Sequence, residues 1–457
     1  MRTILIALII GICTLPLSGQ NTPLLKISKD HHYIVTEDNK PFFWLGGTAW
    51  ELIHRLNKNE TKSYLSDRAN KGFTVIQTVI LAELDGLNTP NAYGQLPLID
   101  EDPTQLNKNY FESIDYLIQQ ADSLGLYIGL LPTWGDKWNK LWGVGPEIFN
   151  PQNAEKYGEL LAKRYQAYTN IIWILGGDRK PEKAIHSAII NAMAKGIRTI
   201  DQKHLITYHP VGAKIATEFF DQKWLDIDMF QSGHSRIVKE YDYVLKSRKN
   251  STVRPVINGE SRYENIPDRF WEDLDKDWLD DSDVRVSAYW SMISGAAGYT
   301  YGCNDIWQMY DYTRTPVISA RTDWKESLHL PGSTQMSFMK NLFELFPWQE
   351  MVYNQSIILN DNPQDETYRV CAVGPYKKFV IAYTPYGKPI EVDLTQLHAE
   401  RVNAYWYNPR SGKVTKIGDY STQKPIAFKP WSKGRGSDFI LVIMDINSTY
   451  KLTTLNN

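Results

Sequence analysis

Cysteine is nearly missing from this chain, with 3 residues in 457. Cys13 lies in an N-terminal apolar run, and Cys303 and Cys371 fall in different expected domains. A disulfide framework is therefore not expected, and no cysteine spacing suggests a metal site. Charge of one sign is lacking as well. The formal net charge is −2 and there is no basic tract, so nothing recruits nucleic acid or an anionic membrane surface. No apolar run is long enough to span a bilayer. Internal repeats and low-complexity linkers are absent too. No glycine fingerprint opens a helix after the first strand, which counts against a doubly wound open sheet.

What is present begins with Arg2, the apolar run Ile4 to Cys13 and Pro16-Leu-Ser-Gly19. This pattern reads as a secretory signal cleaved near Gly19 and predicts a periplasmic or secreted protein. Ile12 stands before Cys13 where a lipoprotein would carry a small residue. Hydrophobic content of 42% and charged content of 22% are ordinary for a soluble globular chain. The 15 Trp and 27 Tyr are more telling, since flat aromatic faces stack on sugar rings, although burial in a core is their default use.

Eight short apolar runs recur: Phe42–Gly46, Phe73–Val79, Leu126–Leu131, Ile171–Leu175, Leu205–His209, Ile227–Gln231, Pro255–Asn258 and Gly298–Gly302. Their apolarity is continuous, as strands covered on both faces require. Helical stripes fill the gaps: Phe111, Ile114, Ile118 and Ala121; Ala154, Tyr157, Leu161 and Tyr168; Ile185, Ala188, Ile189, Ala192 and Ile197; Met336, Met339, Phe343 and Phe346. Asn150-Pro151 announces the second of these helices. Strand and helix alternating eight times predict a (β/α)₈ TIM barrel over residues 20–347. Leu24 to Phe43 reads as a β-hairpin turning at Asp38-Asn39 beneath the barrel floor. Beyond Pro347 only short strands bounded by Gly, Pro and Asn follow, so residues 348–457 read as a small antiparallel β-sandwich packed firmly on the barrel.

Chemistry concentrates at the strand ends, which in such a barrel open on one mouth. Asp178 ends Ile171-Ile-Trp-Ile-Leu-Gly-Gly-Asp178 on strand four, and Glu260 ends Arg254-Pro-Val-Ile-Asn-Gly-Glu260 on strand seven. A charge at a buried strand tip is costly unless used. Two carboxyls across one mouth suit a retaining glycoside hydrolase, which needs them about 5–5.5 Å apart. Simple pairing with Arg179 or Arg262 is the structural alternative. Trp50, Gln77, Trp134, His209, Gln231, His234, Tyr301 and Trp307 stand at the other tips, with strand two ending at Gln77-Thr78, and are expected to bind substrate. His209 and His234 lack a third ligand at a fixed spacing, so no metal and no cofactor is expected. The raised pKa that an acid needs is expected on Asp178, from burial near Trp173 or Trp134 and repulsion from Glu260.

Trp-Ile-Leu-Gly-Gly-Asp178, Tyr208-His-Pro210, Gln231-Ser-Gly-His234 and Asn258-Gly-Glu260 resemble the apiosidase-like group, glycoside hydrolase family 140. Ala404-Tyr-Trp-Tyr-Asn-Pro-Arg-Ser-Gly412 resembles the β-sandwich accompanying it, a domain labelled collagen-binding. The resemblance implies an exo-acting retaining hydrolase of β-linked apiose in the side chains of pectic rhamnogalacturonan II. In it Asp178 is acid/base and Glu260 nucleophile. The expected partner is an oligosaccharide, and the protein is expected to be a monomer. The wider clan carries asparagine-glutamate at the strand-four tip, whereas Gly177 and a shorter aspartate stand here. The rival readings are a glycan- or collagen-binding adhesion protein with an idle barrel, and an endo-β-glycanase of the same clan.

Overall fold

The computed structural model describes residues 22–275 and 277–452; the expected signal, Met1 to Gly19, lies outside them. Within these residues eight parallel strands run β1 (Trp44–Thr48), β2 (Val75–Leu81), β3 (Tyr127–Thr133), β4 (Ile171–Gly176), β5 (Ile206–His209), β6 (Asp228–Gln231), β7 (Val256–Glu260) and β8 (Gly298–Tyr301). The hydrogen-bonded order is β6-β7-β8-β1-β2-β3-β4-β5, with β8 pairing β1, so the sheet curls into the expected barrel. No ladder joins β5 to β6. Asp226 N–H donates to Ile206 O at 2.9 Å, and Thr207 Oγ1 donates to Ile227 O at 2.8 Å, closing that seam. The connection there holds a two-residue strand, Lys214–Ile215, antiparallel to β6, and a 3₁₀ turn, Ala216–Glu218, in place of a full helix.

Around the strands lie α1 (Lys58–Asn70), α2 (Lys108–Ser123), α3 (Pro151–Tyr165), α4 (Ala184–Ile200), α5 (Glu240–Ser247), α6 (Asp281–Ile293) and α7 (Pro331–Glu344). Asn150 caps α3 by accepting from Asn153 N–H, with Pro151 at the first helical position. Two expected stripe positions fall elsewhere: Tyr168 lies beyond the end of α3, and Ile185 is 47% exposed on the outer face of α4. Alternation along the strands divides the burial into two cores. Val75, Val79, Leu131, Ile172, Ile174, Met229 and Ile257 fill the barrel, while Ile76, Ile128, Leu130, Leu175 and Phe230 meet the helices. Continuous apolar strands are the sequence form of this two-sided burial.

The N-terminal hairpin pairs Leu25–Ile27 with Ile34–Thr36 and turns at Lys29 to His32, earlier than the sequence suggests. Asp38-Asn39 form a second reversal, with Asn39 at φ +65°, that leads the chain into β1. Leu25, Ile34 and Phe42 join the inner core, so the hairpin closes the barrel floor.

The C-terminal domain contains β9 (Val352–Tyr353), β10 (Val370–Val373), β11 (Phe379–Thr384), β12 (Ile390–Val392), β13 (Arg401–Asn408), β14 (Lys413–Ser421), β15 (Ile426–Phe428) and β16 (Phe439–Asp445). One antiparallel sheet has the order β9-β10-β11-β16-β13-β14, and β12 pairs with β15 over its other side. This sandwich packs on the barrel through shared core. Tyr289 of α6 stacks on Tyr383 at 4.9 Å, Phe346 meets Phe379 at 4.7 Å, and Trp290 Nε1 donates to Tyr368 O at 2.9 Å. Arg285 of α6 grips Asp438 with two 2.8 Å bonds, both side chains being 1% exposed.

Removing one partner of a buried, bidentate pair leaves the other charge short of a counterion, at a cost of up to about 3–5 kcal/mol, although Arg285 keeps the part-exposed Asp281 and Gln335 on its third nitrogen. Asp438→Ala is expected to lose stability on that scale in chemical denaturation. Asp419→Ala, which breaks the exposed Lys416–Asp419 pair, is expected to lose less than about 1 kcal/mol. Equal losses would show that the interface does not depend on the Arg285–Asp438 contact.

Candidate active site

The end of β4 is a sharp outward turn. Gly176, Gly177 and Asp178 all have positive φ, at +100°, +85° and +54°. A Cβ on Gly176 would meet His209 O at 2.5 Å, and one on Gly177 would meet Gly135 N at 2.7 Å. Both glycines are thus required by close backbone approach as well as by conformation. Asp178 itself holds a strained backbone, a feature that clusters at functional sites. Its N–H donates to His209 Nδ1 at 3.3 Å, and its carboxyl lies 3.6 Å from Arg179 Nη1. The Arg179 side chain is fully buried, and its remaining bonds go to main-chain carbonyls of Asn139, Lys140 and Asp178.

Glu260 ends β7 and sits deeper, its side chain 7% exposed against 20% for Asp178. His234 Nε2 lies 3.1 Å from Oε1, and His209 Nε2 lies 3.0 Å from Oε2. Because His209 Nδ1 accepts from the backbone of Asp178, its proton resides on Nε2, in ion-pair contact with Glu260 but off the line of a hydrogen bond. Gln77 Nε2 holds Gly259 O at 2.8 Å, fixing the main chain beneath the carboxylate. Arg262 pairs with Glu240 at 2.8 Å and leaves Glu260 to the histidines.

The two carboxyls are driven apart electrostatically. Burial and then repulsion from Glu260 push Asp178 up to about 7, with Arg179, His209 and His234 opposing. Burial would raise Glu260 likewise, but the bonds and charge of His209 and His234 outweigh it and hold this group well below the usual carboxylate range. One acid that keeps its proton near neutrality faces one that stays ionised.

The mouth around them is aromatic. Trp50 packs on Trp134 at 5.2 Å and on His209 at 5.3 Å, and Trp307 joins the same cluster. Trp134 Nε1, Gln231 Oε1 and His234 Nδ1 are buried without hydrogen-bond partners, as groups awaiting a ligand's hydroxyls would be. The structure therefore brings together Trp50, Trp134, His209, Gln231, His234 and Trp307 with the carboxyl pair. Gln77 lies below the mouth, because β2 runs on to Leu81 and makes Gln77 and Thr78 mid-strand residues. Tyr301 is a correction. Thr300 accepts from Trp44 Nε1 inside the barrel, so Tyr301 points outward, donates to Glu264 at 2.6 Å and faces the Arg68 guanidinium. Trp173 also faces outward, bonding Asp201 at 2.9 Å, so the aromatic near Asp178 is Trp134.

Two mouth residues escape the sequence reading. Tyr263, three positions past Glu260, accepts from Trp50 Nε1 at 3.1 Å and lies 4.2 Å from the His234 ring. Glu83 follows the extended end of β2, where burial and then repulsion from Asp178 push its carboxyl up to about 8. Following the apolar run of β2 to Leu81 would have brought Glu83 to the tip.

Residues 28–350 match the family model described as apiosidase-like, catalytic domain, and residues 352–444 match a domain described as collagen-binding in a collagenase. Two solved structures resemble the chain over nearly its whole length. A glycoside hydrolase is 32% identical with a TM-score of 0.87, covering 94% of this chain and 98% of its own. A family 5 glycoside hydrolase from Bacteroides vulgatus is 32% identical with a TM-score of 0.88, covering 95% of this chain and 97% of its own. Comparison with curated proteins finds no match.

A carboxyl raised to about 7 keeps its proton in the fold while the unfolded chain loses it near pH 4. The unfolded state then binds fewer protons, so this group lowers stability as pH rises from about 4 to 7. Asp178→Asn removes that penalty and is expected to melt above wild type at pH 8 and close to it at pH 4. A difference independent of pH would contradict the raised pKa.

Proposed function

The chain belongs to the apiosidase-like family of glycoside hydrolases, and on that premise we propose an exported retaining enzyme acting on β-linked apiose in pectic rhamnogalacturonan II. Glu260, ionised and oriented by His209 and His234, attacks the anomeric carbon. Asp178 first protonates the departing glycosidic oxygen, and after departure it takes a proton from the water that hydrolyses the glycosyl-enzyme. The opposite treatment of the two carboxyls carries this reading: two imidazoles hold Glu260 ionised, while burial and that negative charge keep the proton on Asp178. Pairs pushed apart in this way mark acid and base assignments. Glu83, also protonated near neutrality, can donate to a sugar hydroxyl.

The family description supports apiose as the sugar, and the N-terminal apolar run supports export. The C-terminal domain braces the barrel. Trp406 is 3% exposed in its core, and its well-exposed aromatics, Tyr376 and Trp431, stand in turns with no strand-long row among the described residues. That arrangement favours bracing over collagen binding.

Screening against pectic oligosaccharides is expected to release apiose, or an oligosaccharide ending in it if the cut is internal. Release of other sugars alone would overturn the substrate. Asp178→Asn is expected to lower kcat about 10²–10⁴-fold on poor leaving groups, with smaller losses on good ones, and to abolish the alkaline limb near pH 7. Glu260→Ala with azide is expected to yield the inverted glycosyl azide. Near-normal kinetics in either variant would contradict its role.

A further inference from the structure

The loop after β3 carries a large aromatic that the site described above does not use. Trp142 is 60% exposed, yet one face of its ring lies 4.0 Å over the Arg179 guanidinium. Arg179 directly follows Asp178 and donates to its carbonyl at 2.9 Å. The loop is held from both sides. Arg179 bonds Lys140 O, and the buried Asp136, paired with Lys137 at 2.8 Å, accepts from Gly145 N–H at 2.8 Å. Gly143 leans on Asp136 so closely that a Cβ there would lie 2.2 Å from it. Leu141, at φ +40°, turns the chain outward just before the tryptophan. Leu141 and Val144, 43% and 49% exposed, extend an apolar apron around the ring.

A fixed aromatic with one face on a buried cation and the other open is built to receive something flat. The depth of the carboxyls indicates what. Glu260 is the deeper group and is walled by His209, His234 and Tyr263, so the sugar undergoing attack fills the interior. The leaving group exits past the shallower Asp178, toward Arg179 and Trp142. Accepting that assignment of the two carboxyls, we propose that the open face of Trp142 is the platform for the leaving-group sugar. Its ring stacks there while Asp178 protonates the oxygen that joins it to the glycosyl unit. The site is a subsite for a pyranose or furanose ring, not for a protein or lipid partner.

A glycosyl fluoride separates this role from a structural one, because fluoride leaves without any ring to stack. Trp142→Ala is expected to lower kcat/KM for a pectic oligosaccharide at least 10-fold more than for β-apiosyl fluoride, and Trp142→Tyr to restore most of the difference. Equal losses on both substrates would assign Trp142 to holding Arg179, and no loss on either would leave its open face without a role; each outcome overturns the proposal. If apiosyl donors are not turned over, the choice of apiose fails on its own. The same comparison, made on the fluoride and disaccharide of whichever sugar the screen identifies, still decides the platform.

Discussion

One imidazole governs the mouth of this barrel. His209 accepts the Asp178 N–H at Nδ1 and brings Nε2 within 3.0 Å of Glu260 Oε2. That single ring ties the β4 turn to the tip of β7 and fixes its own tautomer. Together with His234 it settles which carboxyl remains charged. Without it and His234, which lies 3.1 Å from the other Glu260 oxygen, two buried acids would face each other with little to decide between them. Arg179 is near Asp178, but its bonds are committed to three main-chain carbonyls. It organises the β3 and β4 loops more than it neutralises the acid.

The remainder of the fold holds this ring in place. Gly176 pairs with His209 across β4 and β5, and neither Gly176 nor Gly177 has room for a side chain. Trp50 and Trp134 press on the imidazole, while Gln77 reaches through the barrel to the main chain below Glu260. The hairpin seals the floor and the C-terminal sandwich stiffens α6, which lies between β7 and β8. Strain at Asp178 and the buried carboxyls cost stability, and this packing offsets it, as rigid support around a preorganised site generally must.

Strand positions were legible because burial on both faces leaves an unbroken apolar run, and each of the eight barrel runs overlaps its strand. The carboxyl pair was legible because glycines and a charge at a buried strand tip have few structural uses. Other features were not. Tyr301 lies at a strand end, but inward or outward direction depends on parity, which a strand buried on both faces does not display. Glu83 was hidden by ending β2 two residues early. The loose seam between β5 and β6 follows from a missing helix, and Leu205 to Gln231 carries too few periodic positions to show whether one forms. Trp142 was invisible for a different reason: exposure and the Arg179 beneath it are properties of the folded loop.

Direct titration of the two side chains tests the central claim, that histidine contacts split the pair into one ionised and one protonated acid. Carboxyl-carbon NMR of wild type, assigned with Asp178→Asn and Glu260→Gln, would follow each group through the acid and neutral range. The account predicts that Asp178 titrates near pH 7 while Glu260 remains ionised throughout the weakly acid range. An Asp178 that releases its proton at an ordinary aspartate pH, or a Glu260 that takes up the shared proton first, would contradict it.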